Sequence, residues 1–166
     1  MLTRKNTLFT FGTTHVAAQE DLKQVLLESP TLWLINYQSD APVILAVDTS
    51  IIAIRFHLCQ CDEQNPRLRY YNRFESLRLN DREAHFSQAK LEIYGLHRAL
   101  HKLRLYLIGI QNFIVEMDTC YVKGMLQNPD IAPSAVINQW ILAILMFHFK
   151  LVHIPGAMHG PDSLSR

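Results

Sequence analysis

The chain has 166 residues, of which 49% are hydrophobic and 19% are charged, and its formal net charge is +1 at pH 7. This length suits one domain with a core of its own, and the apolar content excludes an intrinsically disordered chain. A net charge so small gives no overall field that would attract a polyanion, so a nucleic-acid partner has to be bound by local clusters.

The cysteines and the apolar runs indicate where the protein works. The chain has three cysteines, and we expect Cys59 and Cys61 to point to opposite faces of a strand and to stay reduced. No signal peptide opens the sequence, and the longest apolar run, 140–147, is too short to span a bilayer and predicts a core helix. We therefore expect an intracellular protein, in a cytoplasmic particle or the nucleus, that is not secreted and has no membrane partner.

The hydrophobic pattern predicts an α/β domain with five strands. A helix follows Thr13 or Thr14, with apolar positions on one face, and ends at Ser29-Pro30. The predicted strands cover 43–47, 51–58, 67–79, 113–117 and 150–154. The predicted helices after the third strand cover 87–109, 120–126 and 134–147, with a short helix entry around Asp162.

Two of these strands run directly into an aspartate. Asp48 follows five apolar residues, and Asp118 follows strand 113–117. If the strands are parallel neighbours, both carboxylates lie at one edge, where Glu92 in the first two turns of a helix can join them. A fourth acid on a C-terminal helix would complete a set of hard oxygen ligands suited to two Mg²⁺ or Mn²⁺ ions. Because the chain has 15 acids, the residues alone do not single out this set.

Several stretches, in order, are similar to one known family. Residues 9–166 resemble the end of the reverse transcriptase polyprotein of gypsy-type LTR retrotransposons of the fungal kind, where a connection segment precedes an RNase H domain. The resemblance rests on AQEDLKQVLLESP, INYQSDAPVILAVDTS, RYYNRFESLRLNDRE, FSQAKLEIYGLHRAL and LVHIPGAMHGPDSLSR. It implies a connection segment over 1–42 and, over 43–166, an RNase H-like fold with a five-stranded mixed sheet flanked by helices.

The resemblance also implies an activity and its residues. The expected reaction is two-metal hydrolysis of the RNA strand of an RNA–DNA hybrid, with the polymerase part of the same polyprotein as a partner. Asp48 matches the first catalytic aspartate and would bridge both Mg²⁺ or Mn²⁺ ions. Glu92 and Asp118 would hold one ion, and Asp162 would hold the other. The chain contains no YxDD-like aspartate pair of a polymerase.

Two positions depart from the family pattern. Arg55 stands where the family usually has glycine on the return strand, and His57 stands where a small apolar residue is usual. The Arg55 guanidinium can reach the acids and compete with the metals, which predicts a weak or inactive nuclease that Arg55→Gly would improve. The alternative is that Arg55 extends along a wet face with His57.

Basic residues are candidates for nucleic-acid contacts. The predicted set combines the arginines of the third strand with the cationic side of the long helix, namely Arg67, Arg69, Arg73, Arg98 and Lys102. A half-exposed strand with arginines that extend to water is the alternative. His159 can assist proton transfer or be a turn residue.

Two other functions compete with the nuclease. Integrases share the fold, but the position of their glutamate is occupied by His153 with no acid nearby, so we reject that function. A non-catalytic scaffold that only binds nucleic acid or a polymerase stays open.

Overall fold

The computed structural model describes residues 11–28, 32–118, 121–127 and 134–155. The chain divides into two compact units, 1–33 and 34–166. Helix α1 (Thr13–Glu28) lies in the first unit and has the predicted bounds. The predicted boundary between connection and RNase H-like domain, at residues 42 and 43, stays a prediction, because compactness does not mark where one part of a polyprotein ends.

The second unit is built on one mixed sheet with the strand order β3-β2-β1-β4-β5. β1 pairs antiparallel with β2, and β2 with β3, whereas β1 pairs parallel with β4, and β4 with β5. The strands are β1 (Val43–Thr49), β2 (Ala53–Cys61), β3 (Arg69–Arg78), β4 (Phe113–Met117) and β5 (Lys150–His153). The predicted α/β class and the five-stranded mixed sheet flanked by helices are confirmed.

The described helices of this unit are α2 (Asp81–Ala84), α3 (Gln88–Leu107), α4 (Tyr121–Gln127) and α5 (Ala135–Leu145). Helix α3 packs on β1 and against α5, and it ends before Gly109, whose φ of 86° is left-handed. The apolar run in α5 buries Ile141 and Ile144 in the core, which confirms a core helix. No helix in the described ranges has the length and apolar content that crossing a bilayer requires.

A short capped helix lies between β3 and α3, where the sequence pattern predicted no element. Asn80 Oδ1 accepts a hydrogen bond from the Glu83 backbone N–H at 2.9 Å, and the Glu83 carboxylate accepts one from the Asn80 N–H at 2.8 Å. This reciprocal pair is a capping box, and it starts the short helix α2 ahead of α3.

Strand β2 is buried on both faces, which corrects two expectations. His57 is only 3% exposed and its ring contacts those of Tyr71 and Phe74, so the predicted wet face is wrong for His57. Cys59 and Cys61 are both buried beside Ile44 and therefore share a face, because residues two apart in a strand point the same way. The prediction of opposite faces for these cysteines was wrong.

Candidate functional site

Asp48 and Asp118 lie next to each other at one edge of the sheet. Parallel pairing places Val47 opposite Met117, and each is followed by one of the aspartates. Asp48 is only partly buried at the end of an otherwise buried strand, with 24% of its side chain exposed, while Asp118 is 52% exposed. The predicted neighbourhood of the two strand-end acids is thus confirmed by the register.

Helix α3 comes close to this edge because a glycine faces the sheet. A Cβ on Gly95 would overlap Thr49 Oγ1 and would lie 3.1 Å from Thr49 Cβ and 3.3 Å from Cγ2. Only glycine allows this approach of the helix to β1. Glu92 is nearly one turn earlier on the helix, so the same contact sets the distance between Glu92 and the strand that carries Asp48.

The three acids line a single cavity of about 250 Å³. Its described walls are completed by side chains from β1, α3 and α4, namely Val47, Thr49, Gln88 and Tyr121. The structure therefore brings together Asp48, Glu92 and Asp118, as the spacing predicts. Asp162 and His159 lie outside the described residues.

Burial and mutual repulsion change the charge state of Glu92. Its pKa is raised from 4.5 to about 7, first because burial disfavours the carboxylate and also because the charges of Asp48 and Asp118 repel it. A hydrogen bond from Gln88 Nε2 to Glu92 Oε1, 2.6 Å long, opposes this shift. The three carboxyl groups are thus close enough to repel one another when charged, and a bound cation would reduce that repulsion.

This pKa predicts how stability depends on pH without a divalent cation. Between about pH 4.5 and 7, folded Glu92 keeps a proton that the unfolded chain has lost, so the free energy of unfolding falls as pH rises. We expect the free energy of unfolding to fall by on the order of 2 kcal/mol across this pH range, after allowing for the partial exposure of Glu92. Melting temperatures measured across this pH range in the presence of chelator should fall with pH in the parent chain. They should change less with pH in Glu92→Gln. A parent profile as flat as that of Glu92→Gln would contradict the raised pKa.

Two cationic or potentially cationic side chains stand beside the aspartates. Arg55 lies opposite Asp48 in the β1–β2 pair, and its Nη1 is 4.0 Å from Asp48 Oδ2. Only 20% of the Arg55 side chain is exposed, so it does not extend into water. His153 Nε2 is 3.9 Å from Asp118 Oδ1. The expectation that the Arg55 guanidinium reaches an acid of the site is confirmed.

The donor set fits a hard divalent cation by its chemistry. Three carboxylates on one cavity are the oxygen ligands that Mg²⁺ and Mn²⁺ take. In the part of the chain that the structure describes, no group of three His, Cys, Asp or Glu side chains is already arranged as a metal cage.

The predicted basic contacts have different surroundings. Arg67 and Lys102 are exposed. Arg69 donates two hydrogen bonds of 2.8 Å to the buried Glu116 carboxylate, Arg73 lies 4.6 Å from the centre of the Tyr106 ring, and Arg98 lies 3.7 Å from Glu83. Their role in binding nucleic acid stays a prediction.

Sequence reasoning missed several residues of the site. Gln88 stands four residues before Glu92, and this helical spacing was the available signal for their contact. Thr49 immediately follows Asp48 and faces Gly95. Tyr121 and His153 reach the site through α4 and β5, and nothing in their local sequence marks them.

The chain is similar to known proteins in sequence and in fold. The chain is 25% identical, over 99% of its length, to the Transposon Tf2-3 polyprotein of Schizosaccharomyces pombe, and it spans 12% of that polyprotein. Its fold matches the foamy viral protease–reverse transcriptase dRH in complex with double-stranded DNA (TM-score 0.56, 14% identity, 92% of this chain and 28% of that chain). It also matches LC11-RNase H1 in complex with an RNA/DNA hybrid (TM-score 0.54, 16% identity, 74% and 92%).

At these identities the likeness to solved structures concerns the fold, and it confirms the predicted RNase H-like architecture. The family model for the RNase H-like domain found in reverse transcriptase matches residues 11–115, which is more than half of the chain. The predicted resemblance to gypsy-type reverse transcriptase polyproteins agrees with this match and with the transposon relatives. This chain belongs to the family of RNase H-like domains found in reverse transcriptase.

Proposed function

We propose that the chain hydrolyses the RNA strand of RNA–DNA hybrids and uses Mg²⁺ or Mn²⁺ held by Asp48, Glu92 and Asp118. The observation that carries this proposal is the convergence of the three acids, from two strands and a helix, on one cavity of an RNase H-like domain. Asp162 is the proposed fourth ligand, on the basis of the family motif. A divalent cation bound there would activate water and neutralise charge on a phosphodiester.

The residues of the chain prepare this site in three ways. Asp48 and Asp118 supply carboxylates at a fixed spacing, because adjacent parallel strands hold them. Gln88 donates to Glu92 Oε1 and orients that carboxylate. Glu92 has a pKa near neutrality, so cation binding and loss of its proton are coupled in the physiological pH range.

The substrate and the partner follow from the same proposal. Discrimination of RNA from DNA would rest on contacts to 2′-hydroxyl groups, which only the RNA strand carries. Exposed Arg67 and Lys102 are proposed phosphate contacts, because they have the charge and the accessibility that a backbone contact requires. Because the transposon relative is a polyprotein of which the chain spans 12%, we propose the polymerase part of the same polyprotein as the partner.

A second candidate is a scaffold that binds nucleic acid without cutting it. The proximity of Arg55 to Asp48 favours this alternative, because a fixed cation offsets the charge that would otherwise attract a metal.

Single-turnover cleavage of a hybrid labelled on its RNA strand separates the two candidates. With Mn²⁺ or Mg²⁺ we expect shortened RNA fragments, no cut in a matched DNA duplex, and no fragments in chelator. Binding of the hybrid without fragments under every metal condition would favour the scaffold and contradict the nuclease.

A further inference from the structure

Arg55 is a largely buried cation whose ion-pair partner, Asp48, is too far away for a hydrogen bond. It lies in the interior of β2, directly opposite Asp48, with 20% of its side chain exposed. Its Nη1 is buried and has no hydrogen-bond partner among the described residues. At 4.0 Å from Asp48 Oδ2, the guanidinium is within ion-pair distance of the acid site but beyond hydrogen-bond distance.

Arg69, an arginine on the same sheet, forms a fully hydrogen-bonded ion pair with Glu116. Arg69 donates from two nitrogens to the two oxygens of Glu116, each at 2.8 Å. This bidentate geometry compensates for the loss of water around both groups. Arg55 Nη1 makes no such bond, so the guanidinium charge is offset by Asp48 across 4.0 Å. The guanidinium is therefore part of the charge balance of Asp48.

A divalent cation and this guanidinium would compete for the negative charge of Asp48. A metal ligated by a carboxylate oxygen lies about 2.0–2.6 Å from that oxygen. Since Arg55 Nη1 is 4.0 Å from Oδ2, a metal on Oδ2 would lie within a few ångströms of a permanent positive charge. The guanidinium and the metal would both be positive, so each would repel the other beside Asp48.

We propose that Arg55 takes the place of one divalent cation at Asp48, so that the chain binds one cation fewer than its acids would otherwise hold. This inference rests on the proposed function, because it concerns the same acids. It assigns Arg55 a role in setting the number of metal ions at the site, through its charge and through its placement opposite Asp48.

Calorimetric titration with Mn²⁺ tests the inference without any cleavage assay. We expect Arg55→Met, which removes the charge and keeps most of the side-chain volume, to bind one more Mn²⁺ per chain than the parent. Arg55→Gln repeats the test with a polar side chain, and Arg55→Lys, which keeps the charge, should match the parent. The charge-matched control is Lys150→Met, because Lys150 is exposed at the far end of β5 and should leave the count unchanged.

Equal Mn²⁺ counts in the parent, Arg55→Met and Arg55→Gln would overturn the inference. The Asp48→Asn chain then distinguishes the two proposals. If Asp48→Asn lowers the shared count, the acids bind metal and only the role of Arg55 is wrong. If Asp48→Asn leaves that count unchanged, the site proposed for the nuclease fails as well. An extra Mn²⁺ in Arg55→Lys would also overturn the inference, since the charge is then not what excludes the ion.

Discussion

Replacing Asp48 with asparagine should remove most of the rise in melting temperature that Mg²⁺ or Mn²⁺ gives the parent chain. A cation that binds only the folded protein stabilises it by about 2.7 kcal/mol at a concentration 100 times its Kd. Asp48 lines the acid cavity and lies 4.0 Å from Arg55, so its loss removes a proposed ligand together with the charge that faces the guanidinium. Differential scanning fluorimetry with and without the metal measures this difference directly.

The matched control for this prediction is Asp40→Asn. Asp40 is exposed and precedes the opposite end of β1, so the substitution makes the same change in net charge away from the cavity. We expect Asp40→Asn to keep the full metal-dependent rise. If the metal raises the melting temperature of Asp48→Asn as much as that of the parent, the metal binds elsewhere.

Replacing Gly95 with alanine should destabilise the fold and weaken the metal site together. The added methyl group would overlap Thr49 Oγ1, and rotation of Thr49 does not clear it because Cβ and Cγ2 are also close, at 3.1 and 3.3 Å. Helix α3 would have to move away from β1 and would carry Glu92 with it. Overpacking of this kind costs about 1–3 kcal/mol. Chemical denaturation and the metal-dependent melting shift should both report the loss.

Gly124→Ala provides the control, because it is the same substitution in a helix without the steric conflict. A Cβ at Gly124 meets no atom within 4 Å. Alanine there should raise stability by up to about 1 kcal/mol through its higher helix propensity. Equal stability of the Gly95→Ala and Gly124→Ala chains would refute the close approach of α3 to β1. The double variant Thr49→Ala, Gly95→Ala should recover part of the loss.

The sequence predicted the elements that carry the site, because each has a strong local signal. Strand β4 was predicted over its full length, and the predicted strand 43–47 was two residues shorter than β1. The end of α3 followed from Gly109. Parallel neighbours bring strand ends together, so the position of Asp118 beside Asp48 follows from topology alone. Local pattern and topology were enough to propose three acids at one edge.

The environment of β2 was not predictable in the same way. Alternation of side chains assigns residues to two faces, but it does not reveal whether the second face is covered. Here Tyr71 and Phe74 from β3 contact His57, so this strand is buried on both sides. The pairing of Arg69 with Glu116 also escaped prediction, because the partners are 47 residues apart. Such contacts depend on sheet order and not on local sequence.

The acids are proposed to act as one site for hybrid cleavage, and a double-mutant cycle on Asp48 and Asp118 measures whether they do. Single-turnover rates on a hybrid labelled on its RNA strand would be measured for the parent, Asp48→Asn, Asp118→Asn and the double variant. We expect each single substitution to lower the rate by at least about a hundredfold, and the double variant to lose little more, since groups that act as a unit are not additive. Rates that stay at the parental level, or losses that multiply in the double variant, would contradict the claim.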